Sequence, residues 1–223
     1  MKKNFTLKKI NSEKIWKAEN IFFLKADISR YAKFLCHYEI YKKILDIPGD
    51  IIELGVFKGA SLVKLAIFRQ LLERHRSRKI YGFDDFGKFT IPKNKQDKKF
   101  INWWSSKVGN GISNIELEEI LKDKKIENFE LIKGDITKTL KPFLKKNPKL
   151  KISLLHLDLD VYKPTYYALI NLYNRVSSCG LILIDDYNLV LGATKAVDRF
   201  IKEKKLKLKK LNLFRPTYLI KKK

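Results

Sequence analysis

Two stretches decide the fold: LKISLLHLDLDVYKPT, residues 150–165, and GLILIDDY, residues 180–187. Ile152–Leu157 and Leu181–Ile184 are short apolar runs without polar alternation. Such runs read as strands of a parallel sheet covered on both faces. The first closes on Asp158 and the second on Asp185-Asp186. Pro164 suits a first helical turn, so a helix is predicted from there to about Ser178, ended by Cys179-Gly180.

The same grammar extends in both directions. Ile51–Leu54 is a strand followed by a glycine turn, with a helix from about Gly59 to Arg74. Lys79–Phe83 is a strand ending at Asp84-Asp85, and Phe129–Lys133 one stopped by Gly134-Asp135. Helices are expected near Ile115–Lys125 and Gly192–Lys204. Lys205–Leu211 and Thr217–Lys221 read as a closing hairpin, with one strand antiparallel to the rest. Residues 86–115 are polar and irregular, a long excursion of the kind used as a lid or insertion. Residues 1–48 read as a helical substrate or lid region, since Leu24, Ile28, Tyr31 and Leu35 recur at helical spacing and Pro48-Gly49 ends it. Residues 49–223 form the main domain. The architecture is a doubly wound α/β sheet, mostly parallel, with helices on both faces.

Ligands bind such sheets at the carboxyl ends of the strands. Five successive strands here end in acids: Glu53, Asp84, Asp135, Asp158 and Asp185. Single aspartates at turns are ordinary helix caps, but five on one edge point to a binding function. Glu53-Leu-Gly55-Val-Phe-Lys-Gly59 is neither GxGxxG nor a P-loop. Its glycines let backbone approach a ligand. The acid before the turn suits one carrying positive charge, such as the amino group or sulfonium of S-adenosylmethionine. Asp84, or its neighbour Asp85, is placed to accept ribose hydroxyls. Asp135 is either an adenine-side residue or a turn aspartate.

The adjacent strands ending at Asp158 and Asp185-Asp186 bring three carboxylates together without a compensating arginine. They would raise one another's pKa, and a hard divalent cation such as Mg²⁺ resolves that. Asp160, two residues beyond Asp158, faces the same mouth and can act as general base. His156 reads as a strand residue before it reads as that base.

Composition narrows the class. The chain has 223 residues, 45% hydrophobic and 12% aromatic, enough for a substantial core. Cys36 and Cys179 make no CxxC, and with three histidines a Cys/His zinc site is not expected. No secretion signal or membrane span of about 18 apolar residues is seen, so a cytoplasmic protein is expected. The formal net charge is +24, but only eight basic residues are arginine (Arg30, Arg69, Arg74, Arg76, Arg78, Arg175, Arg199 and Arg215). Nucleic-acid recognition favours arginine, so most of this charge reads as a lysine-rich solvated surface, with an anionic small partner as the other reading.

The segments GDIIELGVFKGASL (49–62), IYGFDDFGKF (80–89), LIKGDITKTL (131–140), LHLDLDVYKPTYYAL (155–169) and GLILIDDYNLVLGATKAVDRF (180–200) together resemble the macrocin O-methyltransferase (TylF-type) family. The resemblance implies a class I methyltransferase (Rossmann-like) fold, S-adenosylmethionine, and Mg²⁺ or another divalent cation. It also implies a sugar or glycan-type hydroxyl acceptor, with a nucleotide-linked sugar among the candidates, and is compatible with a homo-oligomer. Position by position it makes Asp158, Asp185 and Asp186 the metal ligands and Asp160 the base. Glu53, Gly55 and Asp84 would line the cofactor site. Gly59 and Asp135 complete the cofactor set on the strand-end reading. Residues 86–115 and the N-terminal helices match poorly, and Trp103, Trp104 and Tyr162 there and beside Asp160 are candidates to pack on a sugar. The rival readings are a nucleic-acid methyltransferase, a non-enzymatic cofactor-binding scaffold, and a sugar-nucleotide transferase using Asp158-Leu-Asp160 as a DxD motif.

Overall fold

The computed structural model describes residues 10–73 and 77–213, and the backbone of 218–221. The first nine residues, Arg74, Arg76, Arg215 and Thr217 lie outside that set. The chain runs α1 (Ser12–Lys25), α2 (Ile28–Lys43), β1 (Asp50–Leu54), α3 (Ala60–Leu72), β2 (Ile80–Asp84), α4 (Lys95–Val108), α5 (Asn114–Asp123), β3 (Phe129–Lys133), α6 (Ile136–Lys146), β4 (Ile152–Leu157), α7 (Tyr162–Leu172), β5 (Val176–Ile184), α8 (Leu191–Lys204), β6 (Leu208–Lys210) and β7 (Tyr218–Lys221).

The strands form one sheet in the order β3-β2-β1-β4-β5-β7-β6. The pairs among β1 to β5 are parallel, and β7 runs antiparallel to both β5 and β6. The expected doubly wound sheet with an antiparallel closing strand is what the chain forms. Successive strand residues face opposite layers, as the period of two requires. Ile51, Leu154 and Leu183 pack with Ile40, Leu62, Leu65 and Leu121 on one face. Ile52, Leu155 and Ile184 pack with Leu140, Leu169 and Phe200 on the other. All six residues of β4 are buried, which explains its lack of polar alternation.

Three elements differ from the sequence reading. Residues 86–115 are not irregular throughout, because α4 occupies 95–108. Its fully buried residues are Asp97 and Ile101 alone, while Phe100, Trp104 and Val108 recur at helical spacing but are only partly buried. The legible signal was Asn94, whose side chain accepts the Asp97 amide as an N-cap, and the stop at Gly109. Helix α7 ends at Leu172, not near Ser178, because Val176 already enters β5. Cys179 then adopts a positive φ of 63° inside that strand, where the β4–β5 register shifts. Finally α6, unassigned above, is capped by Asp135, which accepts from the amide and hydroxyl of Thr137.

Helix α1 buries none of its residues, whereas α2 sinks Ala32, Cys36, His37, Ile40 and Tyr41 against the sheet. Among the described residues no helix is long and apolar enough to cross a membrane.

Candidate active site

The strand order reverses between β1 and β4, so the crevice of the sheet opens where Gly55 and Asp158 meet. The two loops touch. A Cβ on Gly55, which has φ +90°, would stand 1.7 Å from the Asp158 carbonyl oxygen. Glycine is therefore required there by backbone packing alone. Gly59 (φ +81°) opens α3, and a Cβ on it would collide with Leu117.

Asp84 organises this turn. One carboxylate oxygen accepts the amides of Val56 and Phe57, both at 2.9 Å, and the other accepts that of Phe86 at 2.6 Å. Burial raises its pKa, and the backbone donors oppose that. Asp85 instead accepts the Thr90 amide. The loop after α4 closes over the turn, with the Ile112 amide donating to the Phe57 carbonyl at 2.8 Å and Lys58 donating to Val108 at 3.0 Å. Glu53 is fully buried beneath the turn, where it accepts from Ser61, and its second oxygen makes no hydrogen bond among the described residues.

The β4 and β5 ends carry the opposite condition. Asp158, Asp160 and Asp186 each bring a carboxylate oxygen within 4.8 Å of the others. Asp160 has φ +60°, a left-handed conformation that aspartate tolerates better than most residues. Its amide donates to Asp186 at 3.1 Å, and its carbonyl accepts from Ala193. Burial and then the charges of Asp158 and Asp185 push the Asp160 carboxyl up to about 8. Burial and neighbouring carboxylates also raise Asp158 and Asp186 well above the ordinary range. Asp185 lies beside them but turns toward cations. Lys33 of α2 reaches it at 2.5 Å and Asp158 at 3.8 Å. His156 stands 3.8 Å from Asp185 and 3.5 Å from Glu53. Burial favours neutral His156, but Asp185 and Glu53 outweigh it and raise the imidazole to about 10. Burial pushes Asp185 up, and His156 and Lys33 bring it below the usual carboxylate range. His37 packs edge-on against His156, ring centroids 5.1 Å apart, and burial with nearby His156 and Lys64 drives its pKa down.

Asp158, Asp160 and Asp186 crowd one another while Asp185 is held by Lys33 and His156, and the four carboxyls present hard oxygen donors to one mouth. That donor set fits a divalent cation of the Mg²⁺ type. The structure thus brings together Asp158, Asp160, Asp185 and Asp186 as the sequence suggested, and groups Asp160 with Asp158 and Asp186 more closely than Asp185. Asp135 caps α6 at the end of β3, across β2 and β1 from this cluster. Lys33 and His37 were missed, since nothing local in α2 signals that its residues reach the ends of β4 and β5.

A cavity of about 350 Å³ lies between α4 and the β5–α8 loop, lined in part by Phe100, Trp103, Leu189 and Leu191. Asp97 anchors its wall, accepting the Tyr162 amide at 3.0 Å at the start of α7. Trp103 is 54% exposed at its rim, its ring tilted against those of Trp104 and Phe100.

The sequence profile described as macrocin-O-methyltransferase (TylF) matches residues 36–213. The chain belongs to this family. Within the TylF match lie Asp158, Asp160, Asp185, Asp186 and the glycine turn, while α1 and the first two turns of α2 fall outside it. Demethyldecarbamoylnovobiocin O-methyltransferase of Streptomyces niveus is 27% identical over 166 residues, 70% of this chain and 59% of the relative. The 8-demethyl-8-(2,3-dimethoxy-alpha-L-rhamnosyl)-tetracenomycin-C 4'-O-methyltransferase of Streptomyces olivaceus is 28% identical over 147 residues, 63% of this chain and 54% of the relative. The chain thus spans between half and three fifths of the length of these curated relatives. Among solved structures, the calicheamicin methyltransferase CalS11 superposes with a TM-score of 0.75 at 23% identity, over 96% of this chain and 86% of that one, a likeness of fold.

Proposed function

We propose that this TylF-family chain is a cytoplasmic S-adenosylmethionine-dependent O-methyltransferase, assisted by a divalent cation, that acts on a hydroxyl of a sugar or glycan-type acceptor. The observation that carries this reading is the acidic cluster at the β4 and β5 ends, set against a glycine turn at the reversal of strand order. The sugar acceptor is favoured by relatives whose names describe O-methyltransferases, one of them of a rhamnosyl group.

When bound, S-adenosylmethionine supplies an electrophilic sulfonium methyl, and a divalent cation supplies positive charge for a developing alkoxide. Asp158, Asp185 and Asp186 would hold the cation. The turn from Gly55 to Gly59, kept in shape by Asp84, would hold the methyl donor, with Glu53 contributing negative charge from beneath. Asp135 would stand on the adenine side. Asp160 takes the acceptor hydroxyl proton on its carboxylate. Its burial raises its pKa above the ordinary carboxylate range and so makes it a stronger base. The cavity walled by Phe100, Trp103 and Leu189 would offer an apolar face to a sugar ring. Holding the hydroxyl in line is the main contribution of the fold, and such positioning is worth about 7–11 kcal/mol.

Calorimetric titration with S-adenosylmethionine tests the cofactor reading. Wild type should bind, and Asp84→Ala should weaken binding by tenfold or more, in line with about 1.5–3 kcal/mol for a hydrogen bond to a charged group. Absence of binding by wild type, with and without Mg²⁺, would sink the methyltransferase proposal.

A further inference from the structure

The mechanism above does not use Lys33, yet its ammonium sits in the acidic cluster, 2.5 Å from Asp185 and 3.8 Å from Asp158. It comes from α2, three residues before the segment that the TylF profile matches. It is thus a feature of this chain outside the matched part. We propose that Lys33 is a tethered counter-ion that competes with a divalent cation for Asp185 and Asp158, so that cation binding is coupled to the seating of α2. The inference rests on the reading that the cluster takes a cation.

Charge and geometry carry it. A dication held by Asp158, Asp185 and Asp186 would share two carboxylates with an ammonium already in contact with one of them. Like charges that close repel strongly at the intermediate dielectric of a half-buried site. The lysine must either withdraw or weaken the cation's hold, and in both cases it lowers cation affinity. Withdrawal is open to it. About a third of its side chain is exposed, and four methylenes allow the ammonium to swing into water. The helix is built to permit this. Beyond Lys33, residues Cys36, His37, Ile40 and Tyr41 are buried and fix the later turns of α2. Before and beside it, Ile28, Phe34 and Leu35 are substantially exposed, and only Ala32 is buried, with Phe34 edge-on to Phe68 of α3, so the first turns are held by fewer buried residues than the later ones.

The test is calorimetric titration of wild type, Lys33→Met, Lys33→Gln and Lys33→Arg with MgCl₂ and MnCl₂ at pH 8. Methionine and glutamine keep much of the stem and lose the charge; two neutral variants guard against one failing to fold. Both should bind the cation roughly tenfold tighter or more, and Lys33→Arg should stay near wild type. Hydrogen exchange of residues 28–36 should quicken when Mg²⁺ is added to wild type, and should not respond in the neutral variants. Equal cation affinity in wild type and both neutral variants overturns the counter-ion role and leaves the cation reading standing. No Mg²⁺ or Mn²⁺ binding by any of the four overturns both.

Discussion

The two ends of one sheet bury charge of opposite sign and treat it in opposite ways. At the amino end, Arg78 is enclosed and satisfied. It pairs with Glu73 at 2.8 Å and donates to the carbonyls of Ile44, Leu45, Ile47 and Gly49 and to the Ser153 hydroxyl. At the carboxyl end, Asp158, Asp160 and Asp186 crowd one another, with Lys33 and His156 turned mainly to Asp185. A satisfied buried ion rivets the chain segments that supply its partners. A crowded set of acids stores a deficit that a ligand can fill. The difference separates the end that holds the fold from the end proposed to bind.

Asp160→Asn should break the comparison most visibly. Turnover should fall about 10²–10⁴-fold, the usual worth of a general base, with S-adenosylmethionine affinity kept and stability unchanged or higher. Methyl-transfer kinetics beside calorimetry would read this, and near-wild-type turnover would remove Asp160 from the base role. Arg78→Met should do the reverse. It takes the buried cation from Glu73 and removes the donor of five hydrogen bonds, so urea unfolding should show a loss of about 3–5 kcal/mol, while the folded fraction still binds the methyl donor. Unchanged stability would mean that Arg78 is not a rivet.

The smallest expected effect sharpens the contrast through pH. Asp160 has a folded pKa of about 8, above its unfolded value of about 3.9. The folded state therefore holds the extra proton between those values, and stability from this group is present at low pH and lost as pH rises toward 8. Asp158 and Asp186 shift in the same direction. A divalent cation should therefore raise the melting temperature at pH 8, by the equivalent of about 2.7 kcal/mol at a hundredfold excess over its dissociation constant. At pH 5, with Asp160 protonated and Asp158 and Asp186 more protonated than at pH 8, the rise should shrink. A cation effect as large at pH 5 as at pH 8 would show that these carboxyls are not its site.

Much of this was legible in residues read one after another. Apolar strands stopping at Glu53, Asp84, Asp158 and Asp185 marked the binding edge, because strand and turn preferences are local. Helix α4 was overlooked, since Phe100, Trp104 and Val108 recur at helical spacing but lie in a lysine-rich stretch and are only partly buried. The role of Asp84 was only half legible. Its place at the end of β2 was plain, but its engagement by the amides of Val56, Phe57 and Phe86 depends on a parallel neighbour 27 residues away in sequence.

By itself the sequence determined the doubly wound class, the edge on which the acids gather, and the TylF resemblance, because each is written in short runs whose physics is local. Tertiary structure alone decided that Lys33 of α2 meets Asp185 across 152 residues, that His156 lies between Glu53 and Asp185, and that Arg78 gathers the carbonyls before β1. Those contacts arise from strand order and helix docking. The energy of a buried charge depends on what stands within a few ångströms of it, and no local pattern records that.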